Sequence, residues 1–400
     1  MNIELILNLA TGFLPIEDAL NVRLVGRKFT FDLDYMSMMK LGNKFADVFA
    51  SPSPFVVQQT QTYGKVLKFN CVNFKDSSKQ ILLDNINTSL VKHIHTLNLS
   101  QTKIVDVSML GHVFSLNLNE TEVVDVSRLG KVHCLCLSST NVSDVSALTD
   151  VHTLNLSSTK VKDVSMLGKV HTLNLNFTEV EDASALGNVY CLNLRCTRVR
   201  DVSKLGNVRI LDLSESNVKD VSALGKVHTL NLRCTEVTDV NALGVIRCTD
   251  AKCAYNNYNP HHSANHHVYL YGTRVSTANT LARVQTLELK CTSVTNTNSL
   301  GIFHCGLSNC EYQRFNLLHT HIHTLDLSNC DIEDVSALGN VHTLNLRNTK
   351  VRDASFLGNV HNLDLSYTPV LDVIALQNVK VLKLVGTTAK NIECLSNLRS

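Results

Sequence analysis

The phrase Val-His-Thr-Leu-Asn-Leu returns every 19 residues, and that period governs what this 400-residue chain can fold into. Counting from Ile94, it lands on Val113, Val132, Val151, Val170, Val189, Val208, Val227, Ile246, Asn265, Val284, Phe303, Ile322, Val341, Val360 and Val379. That makes 16 slots over residues 94–397, and the register holds where the motif decays. Val151, Leu154, Leu156, Val161, Val164 and Leu167 are the apolar positions of one clean unit. Leu154 and Leu156 alternate with Thr153, Asn155 and Ser157, the period of a half-buried strand. Asp163 or Ser165 is placed to cap a short helical or 3₁₀ turn, and Gly168 to let the chain turn into the next unit. One such coil cannot enclose a core. Stacked coils bury six apolar side chains each, worth roughly 1.5–3 kcal/mol apiece.

The pattern resembles the leucine-rich repeat family, whose L-x-x-L-x-L-x-x-N-x-L signature it follows over about three quarters of the chain. The resemblance implies an α/β-type repeat solenoid: a parallel sheet with short turn or 3₁₀ return segments. Similar short arrays occur in proteins of large DNA viruses of amoebae and in bacterial surface proteins. Here the family's Asn is mostly Thr, as at Thr102, Thr121, Thr140 and Thr159. Such a ladder is expected to bond neighbouring backbones through its hydroxyls.

Residues 1–48 do not repeat. The run Phe13-Leu14-Pro15-Ile16-Glu17-Asp18-Ala19-Leu20, followed by Arg23-Leu24-Val25-Gly26-Arg27-Lys28-Phe29, resembles the F-box. The family's opening Leu-Pro is missing, and Gly26 replaces its usual Cys or Ser. The resemblance implies docking to a Skp-type adaptor of a cullin–RING ubiquitin ligase through Leu14, Pro15, Ile16, Leu20, Leu24 and Val25. The alternative is a helical cap over the first coil. Residues 49–64 read as a linker, 65–93 as one or two degenerate capping coils, and 398–400 as a tail.

Functional candidates lie on the strand columns. The Asn column runs Asn98, Asn117, Asn155, Asn174, Asn193, Asp212 and Asn231. The next column turns basic at Arg195, Arg233, Lys252 and Lys290, with Tyr269 and Tyr271 among them. These six residues form the candidate ligand face; the alternative is a solvated strand face. Ten of the 17 His share one column just before the strand, among them His95, His133, His152, His171, His266 and His304. Stacked imidazoles there are either pH-sensitive or merely copied with the repeat. The slots 246–264 and 303–321 keep their length but lose their leucines, and are expected to bulge as loops. They hold Cys248, Cys253, His261, His262, Cys305, Cys310, His319 and His321, residue types that bind zinc, although ordinary coils also carry Cys at such places. No metal or other cofactor is expected.

The 37 basic and 35 acidic residues leave a net charge of +2, which argues against broad binding to nucleic acid or an acidic membrane. No apolar run is long enough to span a bilayer. The N-terminus lacks a basic n-region, so no secretion signal is read. The odd count of 13 Cys, spread with the repeat, fits a reducing cytoplasm. No phosphate loop, nucleophile elbow or metalloprotease motif is present, so an enzyme is not expected. The expectation is a monomeric protein-binding scaffold, recruiting targets to a ubiquitin ligase. The alternative is a binding or structural solenoid with no ligase link. A third reading, surface adhesion, lacks the signal and anchor it needs.

Overall fold

The computed structural model describes residues 67–70, 94–245, 265, 267–301 and 322–395. The chain divides into two compact units, Met1–Glu179 and Val180–Ser400. In the first unit the strands are β1 (Leu67–Asn70), β2 (Ile94–Asn98), β3 (Ser115–Asn117), β4 (Cys134–Cys136), β5 (Thr153–Asn155) and β6 (Thr172–Asn174). The second holds β7 (Cys191–Asn193), β8 (Ile210–Asp212), β9 (Thr229–Asn231), β10 (His267–Tyr269), β11 (Thr286–Glu288), β12 (Thr324–Asp326), β13 (Thr343–Asn345), β14 (Asn362–Asp364) and β15 (Val381–Lys383). Within each unit successive strands pair in parallel and residue for residue; only β1 meets β2 with a register shift. The return segments carry 3₁₀ turns such as Ser108–Leu110, Ser184–Leu186 and Ser355–Leu357.

The six apolar positions of a coil all point inward. Val151, Leu154, Leu156, Val161, Val164 and Leu167 are each at most 3% exposed. Strand side chains between them alternate half-buried and buried, as a three-residue strand with one wet face requires. Adjacent coils are tied by backbone bonds such as Leu156 N–H to Asn174 O, 2.8 Å.

The turn after each strand is built differently from expectation. The Thr hydroxyl does not reach the neighbouring coil. Thr159 Oγ1 donates to Leu156 O of its own coil at 2.6 Å, and Thr102, Thr121, Thr140 and Thr178 repeat the bond. The reason is the residue before it, which takes a left-handed conformation (Ser158 φ 56°, Glu120 φ 55°, Phe177 φ 56°). That bend folds the hydroxyl back over the strand end. The left-handed residue's own N–H makes the link between coils, as Ser139 N–H does to Ser157 O at 2.9 Å. Thr159→Val is therefore expected to cost about 1 kcal/mol, one buried hydrogen bond, without loosening the sheet. A urea melt showing a shift in midpoint at unchanged slope would match; no shift would mean the hydroxyl contributes nothing.

Two further repeat features have specific causes. Asp106 Oδ1 accepts the Ser108 N–H at 2.9 Å, and Asp125, Asp144, Asp163, Asp182 and Asp201 do the same for their Ser. The Asp thus caps the 3₁₀ turn from two residues before it. The glycine closing that turn is right-handed (Gly111 φ −62°), so it is not needed for a left-handed turn. In most coils the next coil passes close to it, although Thr149 and Gln377 stand at the same place in two of them. A Cβ on Gly130 would lie 2.2 Å from Ala147 O, and one on Gly187 2.3 Å from Lys204 O.

No strand stands between β9 and β10, or between β11 and β12. β9 pairs directly with β10, Leu230 opposite Val268, and Leu232 N–H donates to Tyr269 O at 2.9 Å. Likewise β11 pairs with β12, Leu287 opposite Leu325. Among the described residues fourteen of the sixteen expected slots supply a strand, β2 to β15, and the periods 246–264 and 303–321 lie outside those residues. Those periods lack the paired leucines at the strand positions, and the coils on either side pair directly. The period survives in sequence although the rung does not.

Candidate interaction face

At the first closure the chain re-enters at Asn265, where the other coils carry Val or Ile. Asn265 is fully buried. Its Oδ1 accepts the Gly244 N–H (3.0 Å), and its Nδ2 donates to Val227 O (2.6 Å) and Leu224 O (3.1 Å). Gly244 has φ 75°, and a Cβ there would lie 2.2 Å from Thr280 O. One amide thus joins the departing and returning chain. It brings the coil of Tyr269 and Tyr271 beside that of Arg233.

The predicted basic face is assembled by that closure, but its cations are partnered. Arg233 pairs with Glu288 across the tyrosine coil, and its Cζ stands 5.0 Å from the Tyr269 ring centroid. Glu288 is mostly buried, while Arg233 Nε is buried with no hydrogen-bond partner. Lys290 Nζ lies 5.4 Å over the Tyr271 ring. Arg195 is held by Glu215 at 2.6 Å, and the same carboxylate accepts from Cys196 Sγ at 3.0 Å. The Cys196 and Arg195 bonds keep the Glu215 carboxyl below its usual range, and burial pushes the Cys196 thiol up. Lys252 lies outside the described residues. So do Leu14, Pro15, Ile16, Leu20, Leu24 and Val25, and the cysteines and histidines at 248, 253, 261, 262, 305, 310, 319 and 321.

What results is an aromatic patch edged by two ion pairs and by Lys290, not a bare cationic stripe. Every other described coil carries at most one Phe or Tyr on its strand and the residues beside it, whereas the coil of β10 presents Tyr269 at the strand end and Tyr271 two residues on. Sequence reasoning missed Glu288 because it lies 55 residues from Arg233. Their proximity becomes legible only once the period 246–264 is removed from the count. Arg347, a later member of the same basic column, stands 4.4 Å over Tyr367, a partner the column did not announce.

The histidine column is a stack. In the first unit His95, Phe114, His133, His152 and His171 follow one another with centroids 4.5–4.6 Å apart and planes within 27°. In the second, His323, His342 and His361 stack at 4.4 and 4.5 Å. Each of several imidazoles sets Nδ1 against the next Thr hydroxyl, as His152 does at 3.2 Å from Thr153 Oγ1. His266 and His304 lie outside the described residues.

Acid is expected to destabilise this protein in two stages. Burial holds His267 below the ordinary imidazole range, and burial with the His342 charge does so for His323. Burial, His342 and Lys380 act on His361. A lowered folded pKa means the unfolded chain binds the proton first. This stabilisation is complete above the unfolded value of about 6.5 and lost as pH falls toward the folded values. The Asp column then gives way. The Ser amide and hydroxyl hold Asp106, Asp125, Asp144 and Asp201 below the carboxylate range, so their contribution is lost below about pH 4. Thermal melts should fall between pH 7.5 and 5.5 and again below pH 4. A flat first interval, or one unchanged by His323→Gln with His361→Gln, would contradict the histidine assignment.

Among the described residues no group of three or more His, Cys, Asp or Glu is placed to hold a metal ion. None of their helices is long and apolar enough to cross a membrane. No protein-family model and no curated protein matches the sequence. The structure is similar to solved leucine-rich repeat proteins. One is a Leptospira interrogans leucine-rich repeat protein, 16% identical with TM-score 0.60, covering 94% of this chain and 99% of that one. Another is an internalin from Listeria monocytogenes, 18% identical with TM-score 0.52, covering 80% and 88%. A third is a TDR receptor, 14% identical with TM-score 0.51, covering 78% and 58%. Identities this low speak for the fold alone.

Proposed function

We propose, on the premise that the chain is a leucine-rich repeat solenoid, that it is a non-enzymatic scaffold binding a protein partner through the second unit's strand face around Tyr269 and Tyr271. The observation that carries this is the tyrosine pair in the coil of β10, braced by Arg233, Glu288 and Lys290. Paired aromatics with an arginine are the residue types that dominate protein interfaces. Held in place by cations and a carboxylate, their rings lose little freedom on binding. The test is quantitative capture by wild type and by a Tyr269→Ala, Tyr271→Ala variant of matched circular dichroism. Any partner captured only by wild type is then purified and titrated against both. Loss of affinity of tenfold or more places the interface; equal affinity removes these residues from it.

The ligase-adaptor reading is the more specific form of this proposal. What supports it is the run Phe13-Leu14-Pro15 with Leu24-Val25 in the F-box-like segment, which lies outside the described residues. A Skp-type adaptor titrated against the full chain and a Leu14→Asp, Leu24→Asp variant tests it. No saturable binding at tens of micromolar leaves the plain scaffold. A cytosolic setting is part of the proposal, supported by seven described cysteines that are all free thiols.

A further inference from the structure

The coils of β13 and β14 each commit the same main-chain donors just past the strand. In the coil of β14, Leu365 N–H donates to Lys383 O at 2.9 Å and Tyr367 N–H to Val385 O at 2.8 Å. Between them, Ser366 N–H donates to the Asp364 carboxylate at 2.9 Å. In the coil of β13, Leu346 and Asn348 donate to Asp364 O and Ser366 O, and Arg347 N–H to Asn345 Oδ1. Two acceptors are thus carbonyls of the next coil, and the third is a side-chain oxygen at one fixed column.

The coil of β15 lacks both kinds of acceptor. Among the described strands β15 pairs with β14 alone. One period on from those donors stand Leu384, Val385 and Gly386, and none of their N–H groups has an acceptor among the described residues. Lys383 holds the place of Asn345 and Asp364, so the side-chain oxygen is gone as well. Gly386 is left-handed, with φ 68°. Successive N–H groups bent in this way form a concavity that suits an anion. At the strand's start, His361 O accepts from Lys380 N–H and Val381 N–H, whereas Lys380 O has no donor among the described residues.

Side chains around this edge define what fits it. Leu382 and Leu384 are half-buried, where Leu363 and Leu365 are buried. Val381 and Val385 are at least half exposed. Residues 373–392 hold Lys380, Lys383 and Lys390 and no Asp or Glu. All three lysines are exposed, and none forms an ion pair among the described residues. Asp364, in register with Lys383, is already engaged by the Ser366 N–H.

We propose that the outer edge of β15 takes an extended acidic segment of another protein as an added parallel strand. Such a segment supplies what the repeat supplies to its inner coils. Its carbonyls accept from Leu384 N–H and Gly386 N–H, and one of its N–H groups donates to Lys380 O. Its apolar side chains cover Leu382 and Leu384. Its carboxylates alternate onto the other face, beside Lys383 and the Val385 N–H. Charge selects against the β15 of a second copy, which would bring Lys380 and Lys383 against their own kind. No residue of the tyrosine patch belongs to this coil, so the two surfaces can be tested apart.

The probe is a short fluorescein-labelled peptide alternating Asp and Leu, titrated against the full chain by anisotropy. Saturable binding is expected, weakened by salt. Lys380→Gln with Lys383→Gln should weaken it roughly tenfold, the loss of two exposed ion pairs. Hydrogen exchange at the amides of Leu384, Val385 and Gly386 should slow on binding, which a purely ionic contact would not cause. A peptide with Lys in place of Asp should not bind, nor should the Asp peptide N-methylated along its backbone. The Tyr269→Ala, Tyr271→Ala variant should bind the peptide as wild type does. Absent saturation, equal binding of either control peptide, or unchanged exchange at residues 384–386 overturns the proposal. So does a chain that dimerises with those amides already protected, which would make a second copy the occupant.

Discussion

Asn265→Val is expected to destabilise the protein by about 2–6 kcal/mol, although it restores the residue most coils use at that position. Valine would fill the site. It would also strand the Gly244 N–H and the Val227 carbonyl, both bonded to the Asn265 amide. Leu224 O keeps its bond from Val227 N–H at 3.1 Å, so two groups, not three, are orphaned. Each buried orphan costs about 1–3 kcal/mol. Urea unfolding should show the loss, and amide exchange should quicken around Gly244 and β10. If the variant instead unfolds at the same or higher urea, the closure is held by apolar packing and the amide is incidental. The outcome bears on function, because this closure sets Tyr269 beside Arg233.

The second large effect is graded along the array. Leu211→Ala, at a position 1% exposed in β8, should cost about 2–5 kcal/mol, the usual range for emptying a buried leucine site. Leu384→Ala, in the coil of β15, should cost less than half as much. Leu384 is only half-buried, and its coil has a described neighbour on one side alone. In a stack where each coil touches only its neighbours, an inner cavity weakens two interfaces and an outer one weakens one. Denaturant melts of the two variants decide it. Equal losses would mean that the β15 coil is covered as fully as the inner ones.

Both predictions rest on features of unequal visibility in the sequence. The core columns were legible because a coil's six apolar positions are set by local pattern and repeat every 19 residues. Val151, Leu154 and Leu156 are buried where alternation and period put them. The Asp cap was legible for the same reason: its partner is two residues away. The Thr hydroxyl was only half legible. Its position was plain, but its acceptor depended on the left-handed residue before it, and Ser, Glu, Phe and Cys at that place do not announce such a conformation. The glycines were assigned to the wrong cause, since the carbonyl that excludes a Cβ belongs to the next coil.

The candidate site was the least legible part. Arg195, Arg233, Tyr269, Tyr271 and Lys290 were named from their columns, yet their charge balance was not. The sequence by itself determined the coil: its length, its buried face, its capped turn and the ladders of His and Asp that any stacking of it must produce. Tertiary structure alone decided which periods become rungs, and through that which columns touch. A rung forms only when its leucines can be buried by both neighbours, a condition on three coils at once. Where it fails, residues two periods apart become adjacent, and pairs such as Arg233 and Glu288 follow from that closure.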